Sequence, residues 1–253
     1  MKLFLLLFLS AACLLISKGS KLRIINGHEA GENSRPYMAY IKVENRTHEM
    51  ICGGSLIKKE WVVTAAHCKM PRCTAMVILG EIDPYEYKPR RQSFSVVKYI
   101  SHPNYDKNTY DNDIQLMKLS KAAKLGNKVQ VISLPNTYED VEAGTICETA
   151  GWGMTEKQEN AESLMEVSVS VMNRTECQEL FKAVKITKNR ICTSVGPRGE
   201  DSCEGDSGGP LIYNNIFRGI LSFGSQPCGK RRGAAVYTRL TKEYVDWINE
   251  MTK

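Results

Sequence analysis

The chain has 253 residues, 42% of them hydrophobic and 25% charged, with a formal net charge of +6. That is enough apolar material for a real core in one large domain or two small ones, and it excludes a disordered chain as the default. Four of the cations, Lys2, Lys18, Lys21 and Arg23, precede Ile24 with no acidic residue among them, so residues 24–253 carry only +2, too mild a balance to indicate nucleic-acid binding.

Met1-Lys2 is followed by an almost unbroken apolar run from Leu3 to Ile16 and then by small and basic residues. The run is too short to span a bilayer comfortably and carries no polar face, so it reads as a secretory signal rather than a membrane anchor or a buried helix. Residues 1–19 are assigned to it. No later stretch is long or apolar enough to anchor the chain in a membrane. Of the nine cysteines, Cys13 would leave with the signal, and the remaining eight form no CxxC pair. In a secreted chain that pattern points to disulfides and away from structural zinc.

From residue 24 onward, short β-type segments alternate with Gly, Pro, Asn and Asp turns, which predicts an all-β barrel or sandwich. In chain order they are Tyr37 to Val43, Met76 to Leu79, Ser93 to Ile100, Ile114 to Leu119, Val167 to Val171 and Ile216 to Phe223. Lys121 to Lys128 is polar enough to be a crossing between two halves. Only the C-terminus reads as a sustained helix, with Tyr244, Val245, Ile248 and Met251 on one face, Trp247 beside them and Thr241 as the expected N-cap.

Chemistry concentrates in Asp201-Ser202-Cys203-Glu204-Gly205-Asp206-Ser207-Gly208-Gly209-Pro210. A serine between small residues can sit on a tight turn with its hydroxyl exposed and neighbouring backbone N–H groups converging on one point. Ala65-Ala66-His67-Cys68 follows the apolar Trp61-Val62-Val63, and Asp113 precedes Ile114-Gln115-Leu116-Met117. Each alone would most often be structural; together they point to a nucleophile, a base and a group that orients the base.

Over essentially the whole of residues 24–250 the sequence resembles the trypsin-like serine proteases. The matching residues are Ile24-Ile25-Asn26-Gly27, Cys52-Gly53-Gly54-Ser55-Leu56, the Ala-Ala-His-Cys block, Asp113-Ile114, Gly151-Trp152-Gly153, the Gly-Asp-Ser-Gly-Gly-Pro block, Ser222-Phe223-Gly224 and Val236-Tyr237-Thr238. The resemblance implies two six-stranded antiparallel β-barrels, about 24–125 and 126–253, with the active site between them and a C-terminal helix. It implies a triad of His67, Asp113 and Ser207, and an oxyanion hole from the N–H groups of Gly205 and Ser207, about 3 kcal/mol of transition-state stabilisation per donor. Asp201 would floor a pocket for Arg or Lys, lined also by Ser222, Phe223 and Gly224, with Glu204 at its entrance and Tyr110 limiting the size of the preceding substrate residue. Arg23-Ile24 would be the activation bond that ends a propeptide of residues 20–23, the new amino group pairing with Asp206. The implied partners are protein substrates with Arg or Lys before the cut and protein protease inhibitors, with no cofactor, metal or nucleic acid.

The short propeptide, Ser34-Arg35-Pro36-Tyr37-Met38 and the phenylalanine of Ser222-Phe223-Gly224 look most like granzymes of the basic-specific A and K types, which implies storage in secretory or cytolytic granules; a digestive or plasma enzyme, or a catalytically dead binding relative, is the alternative. Where the family usually carries Pro-Gly, this chain has Ala234-Ala235, and the methyl of Ala235 is expected to narrow the pocket. Family pattern suggests the bridges Cys52–Cys68, Cys177–Cys192 and Cys203–Cys228. The usual partner of Cys147 is replaced by Tyr213, leaving Cys147 and Cys73 to be free, to pair with each other or to bridge molecules. Asn45 and Asn173 open glycosylation triplets. The loop after Glu81 carries Lys88, Arg90 and Arg91 in place of the acidic residues of calcium-binding relatives. Those cations and Lys230-Arg231-Arg232 would suit an acidic proteoglycan or be simply a solvated surface.

Overall fold

A computed structural model describes residues 25–86, 91–155 and 159–253. The expected signal and propeptide, Arg23, Ile24, Lys88 and Arg90 lie outside the described residues. Thirteen strands and two helices follow in order: β1 (His28–Glu29), β2 (Met38–Glu44), β3 (Glu49–Lys58), β4 (Trp61–Thr64), β5 (Thr74–Leu79), β6 (Gln92–Ser101), β7 (Gln115–Leu119), β8 (Ile146–Gly151), β9 (Met165–Met172), α1 (Arg174–Leu180), β10 (Arg190–Ser194), β11 (Pro210–Tyr213), β12 (Ile216–Gly224), β13 (Ala234–Arg239) and α2 (Lys242–Met251).

Strands β2 to β7 close into a barrel in the order β2-β3-β4-β7-β6-β5. The order β9-β10-β13-β12-β11-β8 closes a second, because β8 pairs back onto β9, so both barrels have six strands, all antiparallel. Among the described residues, closure leaves no long strand edge unpaired. The alternation read in the sequence is physical: Met165, Val167, Val169 and Val171 point inward while Ser168 is exposed. The β11–β12 hairpin turns through Asn214 and Asn215, both at positive φ (51° and 57°), which asparagine tolerates better than other non-glycine residues.

Two expectations change. The crossing between the barrels runs from the end of β7 at Leu119 to Ile146, longer than Lys121 to Lys128, and its middle is buried at Val129 and Ile132. Thr241 holds the N-cap position of α2, yet its hydroxyl makes no cap bond and is buried without a partner; the helix is fixed instead by its buried face of Tyr244, Val245 and Ile248. The seven-residue α1, too short to show a stripe, was not expected; Asn173 caps it by accepting the Thr175 N–H at 2.8 Å.

Each barrel also holds the other's terminal segment. β1 pairs with β9, and Arg35 reaches Glu148 of β8 and Glu166 of β9, each at 2.7 Å. In return α2 packs on the first barrel: the His102 ring lies 5.4 Å from that of Tyr244 and 5.1 Å from that of Trp247, and Lys58 Nζ donates to the Thr252 carbonyl. Leu240, Tyr244 and Ile248 share one apolar core with Val62, Leu116 and Trp152.

The bridges Cys52–Cys68, Cys177–Cys192 and Cys203–Cys228 are present, each typically worth about 2–4 kcal/mol. Cys73 and Cys147 are free and lie in different barrels. Cys147 is wholly buried, and Tyr213 packs against the apolar cluster that contains it; burial pushes the thiol up to about 11. Because Arg35 and Glu166 are both largely buried, Arg35→Ala is expected to lower unfolding stability by about 3 kcal/mol, leaving Glu166 only His28 and the Ser34 hydroxyl as partners. Urea denaturation would check this, and a loss below about 0.5 kcal/mol would place the pair among surface bridges.

Candidate functional site

Asp113, just before β7, is completely buried. A carboxylate so placed needs partners for its lone pairs. Its Oδ1 accepts the His67 backbone N–H at 2.9 Å, and its Oδ2 accepts both His67 Nδ1 at 2.7 Å and the Ser222 hydroxyl at 2.5 Å. The Asp113 carbonyl accepts Thr238 Oγ1 at 3.0 Å. Since a carboxylate only accepts, Nδ1 of His67 is the donor, so in the neutral ring the lone pair falls on Nε2. His67 sits in a single 3₁₀ turn, Ala66–Cys68, pinned by the Cys52–Cys68 bridge, and its side chain is 18% exposed.

Ser207 belongs to a loop that only glycine permits. Gly205 and Gly208 have φ of 94° and 82°, and a methyl on Gly208 would overlap the Thr64 hydroxyl. The loop is tied down by Gly209 N–H to the Asp206 carbonyl and by Gly53 N–H to the Ser207 carbonyl, both 2.8 Å. That carbonyl lies 3.6 Å from Cys68 Sγ, which brings the serine to the His67 turn. Among the described residues, the N–H groups of Gly205 and Ser207 have no partner, the condition an anion-binding pair requires.

The side chain of Asp206 turns away from Ser207 into the second barrel, where it is 1% exposed. It accepts Gly153 N–H at 2.7 Å and Cys203 N–H at 2.9 Å, and burial pushes its carboxyl up to about 7. This explains Gly151-Trp152-Gly153: a Cβ on Gly151 would overlap Asp206 Oδ1, and one on Gly153 would lie 2.5 Å from its Cγ. Nearby, the Ile25 carbonyl accepts the Asp201 N–H at 3.3 Å, and the Ile25 side chain fills the space a Gly229 side chain would need.

Beside Ser207 lies a cavity of about 180 Å³ walled by Ser202, Glu204, Phe223, Gly224 and Gln226. Asp201, which precedes the lining residue Ser202, is 3% exposed, its Oδ2 accepting Gly229 N–H at 2.9 Å, and burial pushes its carboxyl up to about 6. Ala235 is 2% exposed and pairs with Gly224, close against the cavity wall. Neither Asp201 nor Ala235 is among the lining residues. Tyr110, at φ 57°, sets its ring 5.6 Å from both His67 and Phe223.

The candidate site residues therefore converge, apart from Arg23 and Ile24, which are not described, and the glycosylation asparagines. Asn45 stands on the β2–β3 turn and Asn173 on the cap of α1. Sequence reasoning gave no role to Gly53, Thr238 or the glycines around Asp206, although all three lie in the quoted motifs. Gly153→Ala is expected to displace Asp206 and lower activity about a hundredfold, the scale on which a misplaced loop acts, while far-ultraviolet circular dichroism stays that of the parent; retained activity would show that the cradle is not required.

The Trypsin family matches residues 24–248. Granzyme A of Bos taurus is 39% identical over 254 residues, covering 96% of this chain and 95% of its own. Trypsin of Sus scrofa is 38% identical over 230 residues (90% and 95%), and granzyme B(G,H) of Mus musculus 36% over 252 (99% and 98%). A buried carboxylate orienting an imidazole, a serine on a glycine loop and a family match over most of the chain lead to one assignment: this chain belongs to the trypsin family and is a serine endopeptidase.

Proposed function

We propose that the enzyme is secreted, is activated by removal of residues up to Arg23, and cuts proteins after Arg or Lys. Ser207 attacks the scissile carbonyl; His67 takes its proton through Nε2 and returns it to the leaving amine; Asp113 holds the tautomer and stabilises the imidazolium. The Gly205 and Ser207 N–H groups receive the charge that develops on the carbonyl oxygen. The amino group freed at Ile24 pairs with Asp206. That amine keeps the Asp206 carboxyl ionised despite its burial, and so orders the oxyanion loop.

The observation that carries the specificity is Asp201: a carboxylate almost without exposure, one residue before Ser202 of the cavity wall beside Ser207, bonded to Gly229 N–H and with no cation beside it among the described residues. Burial without a countercharge is costly, and a substrate ammonium or guanidinium supplies that charge. Glu204, exposed at the cavity mouth, disfavours acidic residues near the cut, and Tyr110 beside His67 limits the residue before the basic one. The apolar leader and the likeness to granzymes support export and granule storage.

Protein beginning at Ile24 should hydrolyse Arg- and Lys-ending peptides and spare Phe-ending ones. Ser207→Ala should abolish this, Asp201→Ser should cost at least about a hundredfold in kcat/KM on Arg peptides, and protein beginning at Ser20 should be inactive. Equal turnover of Phe peptides would sink the basic specificity, and equal activity of the Ser20 form the activation step. The Asp201 carboxyl, raised to about 6, must be ionised to hold a cation. Benzamidine affinity is therefore expected to be flat above that pH and to fall about tenfold per unit below it, by calorimetry; affinity level down to pH 4.5 would place the amidine elsewhere.

A further inference from the structure

Arg190 opens β10 in the second barrel, and its side chain crosses to the first-barrel loop that carries Tyr110. Its Nη2 donates to the Thr109 carbonyl at 2.6 Å and to Asp111 Oδ1 at 2.8 Å, gripping the residues on both sides of Tyr110. The guanidinium carbon stands 5.2 Å from the Phe223 ring centroid, so the same group braces the second aromatic wall of the cleft. The side chain is 4% exposed, and its Nη1 is buried with no partner. A desolvated cation with an orphaned donor adds little to stability, which turns attention to what its two bonds hold in place.

The loop it grips is only half-buried. Tyr110 and Asn112 both adopt the left-handed region, φ 57° and 56°, which asparagine tolerates but which strains the backbone at a tyrosine. Behind them lies a cavity of about 240 Å³, bordered by Tyr110, Asp111, Asn112, Lys188, Arg190 and Tyr244. With open space at its back, the loop keeps its shape through polar ties. Tyr110 N–H reaches the Asp106 carbonyl at 2.8 Å, and Tyr244 Oη holds Asn112 Oδ1 at 2.8 Å. Arg190 supplies the tie from the opposite barrel.

We infer that Arg190 is a positioning residue for substrate selection: by clamping Thr109 and Asp111 it holds the Tyr110 ring between His67 and Phe223, and so sets the size of the residue accepted just before the one at the cut. This rests on the reading of Tyr110 given above. The test compares kcat/KM on paired peptides ending in Gly-Arg and Phe-Arg. In the parent enzyme the glycine peptide should be favoured, and in Arg190→Met, which keeps the apolar stem, the ratio should fall at least about tenfold. Tyr110→Ala should relax the ratio similarly, and the double variant no further. An equal loss on both peptides, leaving the ratio unchanged, would mean that Arg190 only supports the fold and would overturn the inference; so would a ratio unmoved by Tyr110→Ala. Should Arg190→Met not fold, Asp111→Ala removes one end of the clamp from its half-exposed side and should give an intermediate ratio, an unchanged one again overturning the proposal. If the enzyme cuts after some residue other than Arg or Lys, the same peptide pair is built on that residue, so failure of the basic specificity is read separately from failure of the clamp.

Discussion

Asp113 must be buried to orient His67 in a dry site, and a buried carboxylate is tolerable only when its lone pairs are filled. No single barrel fills them. His67 comes from the first barrel, whereas the Ser222 hydroxyl and the Thr238 hydroxyl on the Asp113 carbonyl come from β12 and β13 of the second. The catalytic geometry is therefore also part of the interface, and the cleft exists where two closed sheets meet over one charge.

Three buried aspartates illustrate how surroundings divide labour among identical side chains. Asp113 is saturated by donors aimed at it. Asp206 and Asp201 receive backbone N–H groups but, among the described residues, no cation, and burial raises both. Each of these two holds an unmet demand for positive charge. On the proposed reading the enzyme's own new amino group meets one, and the substrate meets the other, so the desolvation cost of a carboxylate becomes a requirement for a particular partner.

Much of this could be read from the residues. The strict alternation of Val167 to Val171 gave a strand with one inward face, and the stripe of Tyr244, Val245 and Ile248 gave a helix, because each pattern is local. The glycine loop around Ser207 was legible because positive φ and close backbone approach restrict the residue type. What stayed hidden depends on distant partners. Two residues at His28–Glu29 are too few to show a period, and their strand exists only because β9 offers an edge. Thr241 had the right identity for a cap, but burial of the helix face decided the end. Arg190 belongs to no motif, and it matters only because β10 aims it across the gap at Thr109 and Asp111.

The exchange of terminal segments has a mechanical result. Domains joined by one linker commonly hinge, because little besides the linker resists their opening. Here β1 and Arg35 fasten the first barrel to the second, and α2 fastens the second to the first, at separate points. Rotation that relieves one strap strains the other. The two straps oppose a hinge, so on the proposed reading the cleft acts as a slot rather than a jaw, and a polypeptide enters it as an exposed, extended strand instead of being closed upon.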